Sequence, residues 1–297
     1  MNGVLLVNKP QGFTSFDVVA VARKICSQKK IGHTGTLDPN ATGVLVLLLG
    51  NATKAQDIIP NHDKEYTASF RLGITTDTLD IWGKTLSENE SSVTREQLEN
   101  ALADFRGEIE QIPPMYSAVS VNGQRLYDLA RKGVEVERGP RKITVYELEL
   151  LSFDEGSQSG SLRVMCSKGT YIRTLIDDLG KALKTGAAMT ALNRTAACGF
   201  RLESCITLDE LRALGEKGEI ETVLSSCESL FASYPFLTVS DAQARRFSNG
   251  GYLDPARTAL AQRKTNDGEI IRIKNRTGDF LGLGVIKDEK LKIFKLF

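Results

Sequence analysis

Apolar residues recur along the chain with two periods. Alternating or unbroken Val, Leu and Ile runs predict strands over 3–7 (GVLLV), 43–49 (GVLVLLL), 65–74, 142–153 and 161–172. Spacings of three and four predict helices. One starts at Thr14 or Ser15 and runs to about Cys26, with Val18, Val19, Ala22 and Ile25 on one face. A second follows the capping box Thr94-x-x-Gln97 and aligns Leu98, Ala101, Leu102 and Phe105. Arg173–Leu183 and Thr207–Leu214 read the same way, the latter behind Thr207-x-x-Glu210, and Ser240-x-x-Gln243 opens a short helix that stops at Asn249-Gly250-Gly251. Because several strands are long and carry Thr or charge at alternate positions, a mixed, largely antiparallel sheet with one covered face is expected. The fold class is α+β, with helices flanking the sheet.

Residues 113–142 break this regularity with turn signals and six basic side chains, and read as an inserted loop carrying a short helix. After a weakly patterned stretch over 201–228, the chain changes character at Tyr234-Pro235. The expected division is 1–232 for a main domain and 233–297 for a small β-rich module, near the lower size limit for a self-sufficient core.

Composition narrows the partners only slightly. The net charge of 297 residues is +1, which by itself favours none. The charges are segregated, however: 1–56 carry six Lys/Arg against two acids and 241–297 twelve against seven, whereas 85–112 carry two against seven. One basic surface on a neutral protein would suit a polyanion. Five cysteines without C-x-x-C spacing and only two histidines argue against a zinc site or a disulfide framework. The longest apolar run, Val44–Leu49, is too short to cross a bilayer, and the N-terminus lacks the basic region of a secretory signal, so a cytoplasmic location is expected.

The densest group of turn-forming and polar residues is Gly32–Gly43 (GHTGTLDPNATG), directly before the most apolar strand. Its glycines permit close backbone approach, and Asp38-Pro39 holds a carboxylate on a stiff loop. Other chemistries lack their signatures. Gly83-Lys84-Thr85 resembles the end of a P-loop, but Thr78 occupies the position of the required glycine, and neither G-x-G-x-x-G nor G-x-S-x-G occurs. Aromatic and basic residues interleave at Lys64-Glu65-Tyr66, Arg125-Leu126-Tyr127, Arg131-Lys132 and 168–173, a combination that stacks unpaired bases and neutralises phosphates.

Five segments carry a resemblance: VNKPQGFTS (7–15), GHTGTLDPNATG (32–43), KEYTASFRLGITTDTLDIWG (64–83), PPMYSAVSVNGQRLYDLARKG (113–133) and CSKGTYIRTLIDDLG (166–180). In this order they resemble the motifs of the bacterial TruB family, the tRNA pseudouridine-55 synthases, over roughly residues 1–200. The resemblance implies a pseudouridine-synthase-like fold with a PUA-like RNA-binding C-terminal module. It also implies cofactor-free, metal-free isomerisation of a flipped uridine in the tRNA T-loop, by a cytoplasmic monomer needing no protein partner. Asp38 matches the family's essential aspartate, Tyr66 its stacking tyrosine, and Tyr171 with Arg173 a pocket-lining strand whose arginine pairs with the carboxylate. Leu192 matches a pocket wall and His33 a residue that displaces the target base. Lys9 in the first motif, with Arg125, Arg131 and Lys132 in the insertion, is expected to bind RNA.

The sequence departs from the family pattern at Asn40, at Ser120, where the family has Lys, and near Asn193 and Ala196, where one or two arginines are expected; each lost cation removes a candidate phosphate contact. Two other readings stay open. A non-catalytic tRNA-folding chaperone would use the same basic aromatic surface. A glycoside hydrolase would need paired carboxylates, for which Asp77 and Asp80 are the nearest candidates, although their spacing suggests a turn.

Overall fold

The computed structural model describes residues 1–121 and 123–297. Its main sheet has nine strands: β1 (Gly3–Lys9), β2 (Ile31–His33), β3 (Thr42–Leu49), β4 (Lys64–Leu72), β5 (Gly107–Gln111), β6 (Arg141–Asp154), β7 (Ser159–Cys166), β8 (Ala187–Ala197) and β9 (Phe200–Arg201). The order is β1-β3-β8-β4-β7-β6-β5, with β2 beside β3 and β9 beside β8. Every pairing is antiparallel except β3 with β8, which run parallel with Asn193 opposite Thr42 and Arg194 opposite Gly43.

Helices α1 (Ser15–Ile25), α2 (Arg95–Leu102), α3 (Leu126–Arg131), α4 (Ile172–Ala182), α5 (Leu208–Lys217) and α6 (Asp241–Ser248) complete the α+β fold. Thr94, Thr207 and Ser240 cap α2, α5 and α6 in reciprocal capping boxes, as their spacing predicts. Thr14 does the same for α1, with Asp17 in the place usually held by Glu or Gln.

Burial explains the uninterrupted apolar run of β3. Leu5, Val7, Leu45, Leu47 and Leu49 face a layer that includes Val18, Val19 and Ala22 of α1 and Leu208 and Leu211 of α5. Val4, Leu6, Val44, Val46 and Leu48 face the opposite way, into a cluster with Phe231 and Leu283. A strand covered on both faces has no polar alternation. The other half of the sheet packs Phe70, Val145, Leu162 and Val164 against α2 and α4.

Two expectations are corrected here: the half of the sheet holding β1 and β3 is covered on both faces rather than one, and one predicted strand is shorter. The predicted strand over 161–172 ends at Cys166, because Gly169, at φ +85°, turns the chain; Tyr171 is the N-cap of α4 and Arg173 lies in its first turn. Strand β8 (AAMTALNRTAA), which no run of Val or Ile announces, lies inside the sheet between β3 and β4.

Residues 113–142 hold a hairpin pairing 120–121 with 124–125, then α3, with Leu126 fully buried. A second sheet follows: β10 (Phe236–Thr238), β11 (Ile270–Lys274), β12 (Phe280–Lys287) and β13 (Lys290–Leu296), wrapped with α6 around Leu237, Phe247, Ile271, Ile273 and Leu291. It is joined to the main body by Phe231, whose ring meets Phe280 and Phe297, and by Glu228, which pairs with Arg272 and Lys274 at 2.9 and 3.0 Å. No helix among the described residues is long and apolar enough to cross a membrane.

Candidate active site

The loop bearing Asp38 leaves the sheet after Thr34, whose N–H donates to the Val46 carbonyl at 3.1 Å, and rejoins it at Thr42. Three buried side chains hold the loop between these points. The hydroxyl of Ser15, at the start of α1, accepts from Leu37 N–H at 2.8 Å and donates to the Leu37 carbonyl at 3.2 Å. Lys9 Nζ donates to the carbonyls of Pro10, Phe13 and Pro39 at 2.9, 2.6 and 3.0 Å. Arg194 on β8 donates to the carbonyls of Val44 (2.7 Å), Gly35 (3.0 Å) and Thr36 (3.4 Å). Gly43 allows this approach, since at φ +105° any Cβ would collide with the Arg194 backbone.

Lys9 therefore does not stand in the cleft as an RNA contact. Its side chain is fully buried, and burial lowers its pKa to about 8. Its ammonium carries the loop by gathering the carbonyls of Pro10 and Phe13 with that of Pro39, which also accepts from Gly12 N–H at 2.9 Å.

Across the cleft, Arg173 meets Asp38 in a two-point pair, Nε to Oδ2 at 2.9 Å and Nη2 to Oδ1 at 3.3 Å. Two of the three remaining guanidinium protons go to the carbonyls of Thr78 (2.9 Å) and Tyr116 (2.8 Å), and Asp80 Oδ2 lies 3.9 Å from Nη1. The arginine is 6 % exposed and the aspartate 39 %, so one partner is a fixed support while the other faces the cleft. The carboxylate is supported by the first turn of α4, where the helix dipole also favours an anion.

The cleft measures about 420 Å³, and Tyr66, Tyr116, Tyr171, Leu192 and Lys168 join Asp38 and Arg173 in lining it. Tyr66 stands on β4 directly opposite Arg194 on β8. Burial pushes its phenol up to about 12, so the side chain stays neutral. Lys64 also lines the cleft, its pKa lowered by burial and by Arg194. Lys64, Lys168 and Arg173 thus line the pocket beside the carboxylates Asp38 and Asp57.

The other expected residues lie further out. His33 sits on β2 beside the loop rather than in the cleft lining; its imidazole pKa is lowered by burial and by Arg194. Arg125, Arg131 and Lys132 are exposed on the insertion, with the Arg131 guanidinium 5.6 Å above the Tyr127 ring. Asp77 and Asp80 organise a turn, as their spacing suggests: Asp80 Oδ1 accepts from Thr78 Oγ1 at 2.7 Å and from Trp82 N–H at 3.2 Å. Arg194 was not among the residues that sequence reasoning assigned to the site; Lys64 entered it only as part of an aromatic and basic pair, and Asp80 only as a candidate for paired carboxylates. The sequence displays an arginine inside an alanine-rich stretch but not its burial, because its partners lie 150 or more residues away.

The sequence model described as the TruB family pseudouridylate synthase N-terminal domain matches residues 23–172, and that of the tRNA pseudouridylate synthase B C-terminal domain matches 173–232. The tRNA pseudouridine synthase B of Clostridium tetani (strain Massachusetts / E88) is 44% identical over 297 residues, 100% of this chain and 99% of the relative. That of Azoarcus sp. (strain BH72) is 43% identical over 284 residues, covering 96% and 91%. Among solved structures, one of a Cbf5-Nop10-Gar1 complex superposes with a TM-score of 0.74 at 27% identity, covering 99% of this chain and 84% of that one. Another, of an H/ACA RNP bound to a substrate RNA containing 2'-deoxyuridine, gives 0.73 at 25% identity over 99% of this chain and 84% of that one.

Proposed function

Because the chain belongs to the TruB family of pseudouridylate synthases, we propose that it isomerises a uridine in the T-loop of tRNA, position 55, to pseudouridine. The reaction breaks the bond from C1′ to N1, turns the uracil and joins C1′ to C5; N1 gains a proton and C5 loses one. Departure of the base develops positive charge at C1′. Asp38, half-exposed and held by Arg173 on its far side, is the group that meets this charge, either by bonding to C1′ or by taking the C2′ proton. Its two-point pair with Arg173 is the observation that carries the reading.

Tyr66 and Leu192 are the apolar walls that take the flipped base, offsetting an unstacking cost of about a few kcal/mol. Tyr171 completes the pocket and His33 supports displacement of the base from beside the loop. The module over 233–297 is read as a PUA-like RNA-binding domain, and the enzyme as a cytoplasmic monomer. The test is tritium release from C5-labelled uridine in unmodified tRNA. Release by the wild-type protein is expected; tight binding without release would instead establish a binding-only role.

The insertion supplies phosphate contacts through Arg125, Arg131 and Lys132. Replacing all three by Gln should weaken binding and reduce the slope of log K against log salt by up to about three. Binding of a T-loop hairpin titrated across salt concentrations measures this, and an unchanged slope removes the insertion from the interface.

A further inference from the structure

Helix α4 presents Arg173 to Asp38, yet its N-cap, Tyr171, makes no side-chain capping bond. The residue that fixes the start of this helix comes from another strand. Gln111, the last residue of β5, accepts from Tyr171 N–H through Oε1 at 2.7 Å and donates from Nε2 to the Tyr171 carbonyl at 3.0 Å. It is the one buried position in Gly107–Gln111, 2 % exposed, so its amide is withdrawn from water to make these two bonds. The same peptide carbonyl accepts the helical bond from Leu175 N–H at 3.1 Å. A side-chain amide that grips both backbone groups of one residue fixes where that residue sits and how its peptides are turned.

We infer that Gln111 is a positioning residue for the isomerisation: its grip on Tyr171 sets the first turn of α4 and, two residues on, the guanidinium that orients the Asp38 carboxylate. The inference rests on the reading of Asp38 as the reacting group. Arg173 adds a second tie to the same segment, since its Nη2 donates to the carbonyl of Tyr116, five residues beyond Gln111. The chain leaving β5 therefore touches the catalytic helix at its cap and at its arginine. Loss of the amide lets the helix start drift while the cleft walls from β4 and β8 stay where they are.

The test separates the rate of chemistry from RNA binding in the full-length protein. In Gln111→Met, which keeps the volume and removes both hydrogen bonds, the single-turnover rate of pseudouridine formation should fall at least about tenfold while the Kd for a T-loop hairpin stays within about twofold. Leu98→Ala, a cavity in the core beneath α2, serves as the control: it should lower Tm at least as much and leave the single-turnover rate near wild type. If Gln111→Met does not fold, Gln111→Asn, too short to reach both groups, replaces it with the same expectation. A folded variant with an unchanged rate, or a rate loss that simply tracks Tm in the control, overturns the inference. An inactive wild-type protein overturns the functional reading beneath it, a result the wild-type assay gives separately.

Discussion

Asp38→Asn should abolish turnover, lowering the rate by on the order of a thousandfold or more, equivalent to about 4 kcal/mol of lost transition-state stabilisation. RNA affinity should change little, because the amide fills nearly the same space. The fold should also survive the change. Arg173 retains the carbonyls of Thr78 and Tyr116, and the loop retains Ser15, Lys9 and Arg194, so the amide takes its place in an unchanged frame. Tritium release and a binding titration on the same RNA make the measurement. Residual turnover near wild type would remove the carboxylate from the chemistry.

The largest effect on stability should come from Arg194→Met. Arg194 is 1 % exposed and is among the largest fully buried side chains in the protein, and it donates to three backbone carbonyls. Removing the guanidinium leaves the carbonyls of Gly35, Thr36 and Val44 without these donors, at about 1–3 kcal/mol for each buried group that finds no replacement. Relaxation of the loop recovers part of this, so a net loss of about 3–5 kcal/mol is expected from urea unfolding. Arg194→Lys keeps the charge but not the planar fork, and should recover only part of the difference. Stability within about 1 kcal/mol of wild type for Arg194→Met would show that the loop supports itself.

These two residues differ in how they announce themselves in the sequence. Asp38 stands in a run of turn-forming residues ahead of an apolar strand, and both signals are local. The helix caps were readable for the same reason: Thr94 with Gln97, Thr207 with Glu210 and Ser240 with Gln243 each interact within four residues. Strand β8 was not readable, because alanine has little intrinsic preference for a sheet and the segment is extended only because β3 and β4 flank it. Arg194, on that strand, was hidden with it.

Lys9 shows a related limit. A lysine in a turn-rich motif reads as a ligand-binding cation, whereas three carbonyls from two separate loops converge on it. Gln111 is less legible still. Nothing in Gly107–Gln111 distinguishes it from the exposed glutamates beside it until Tyr171, 60 residues later, is brought against it. In each case the signal absent from the sequence is a buried polar group whose partners are remote along the chain.

The parallel pairing of β3 with β8 has a consequence for biosynthesis. Translation exposes the aspartate loop early, but the strand that latches it arrives 150 residues afterwards, once most of the main sheet has been made. Such a distant closure is slow to form and comes late on the folding route. A nascent chain halted before residue 194 holds Asp38 and Arg173 without the guanidinium that secures the loop, so catalytic competence comes with the last third of the polypeptide to leave the ribosome.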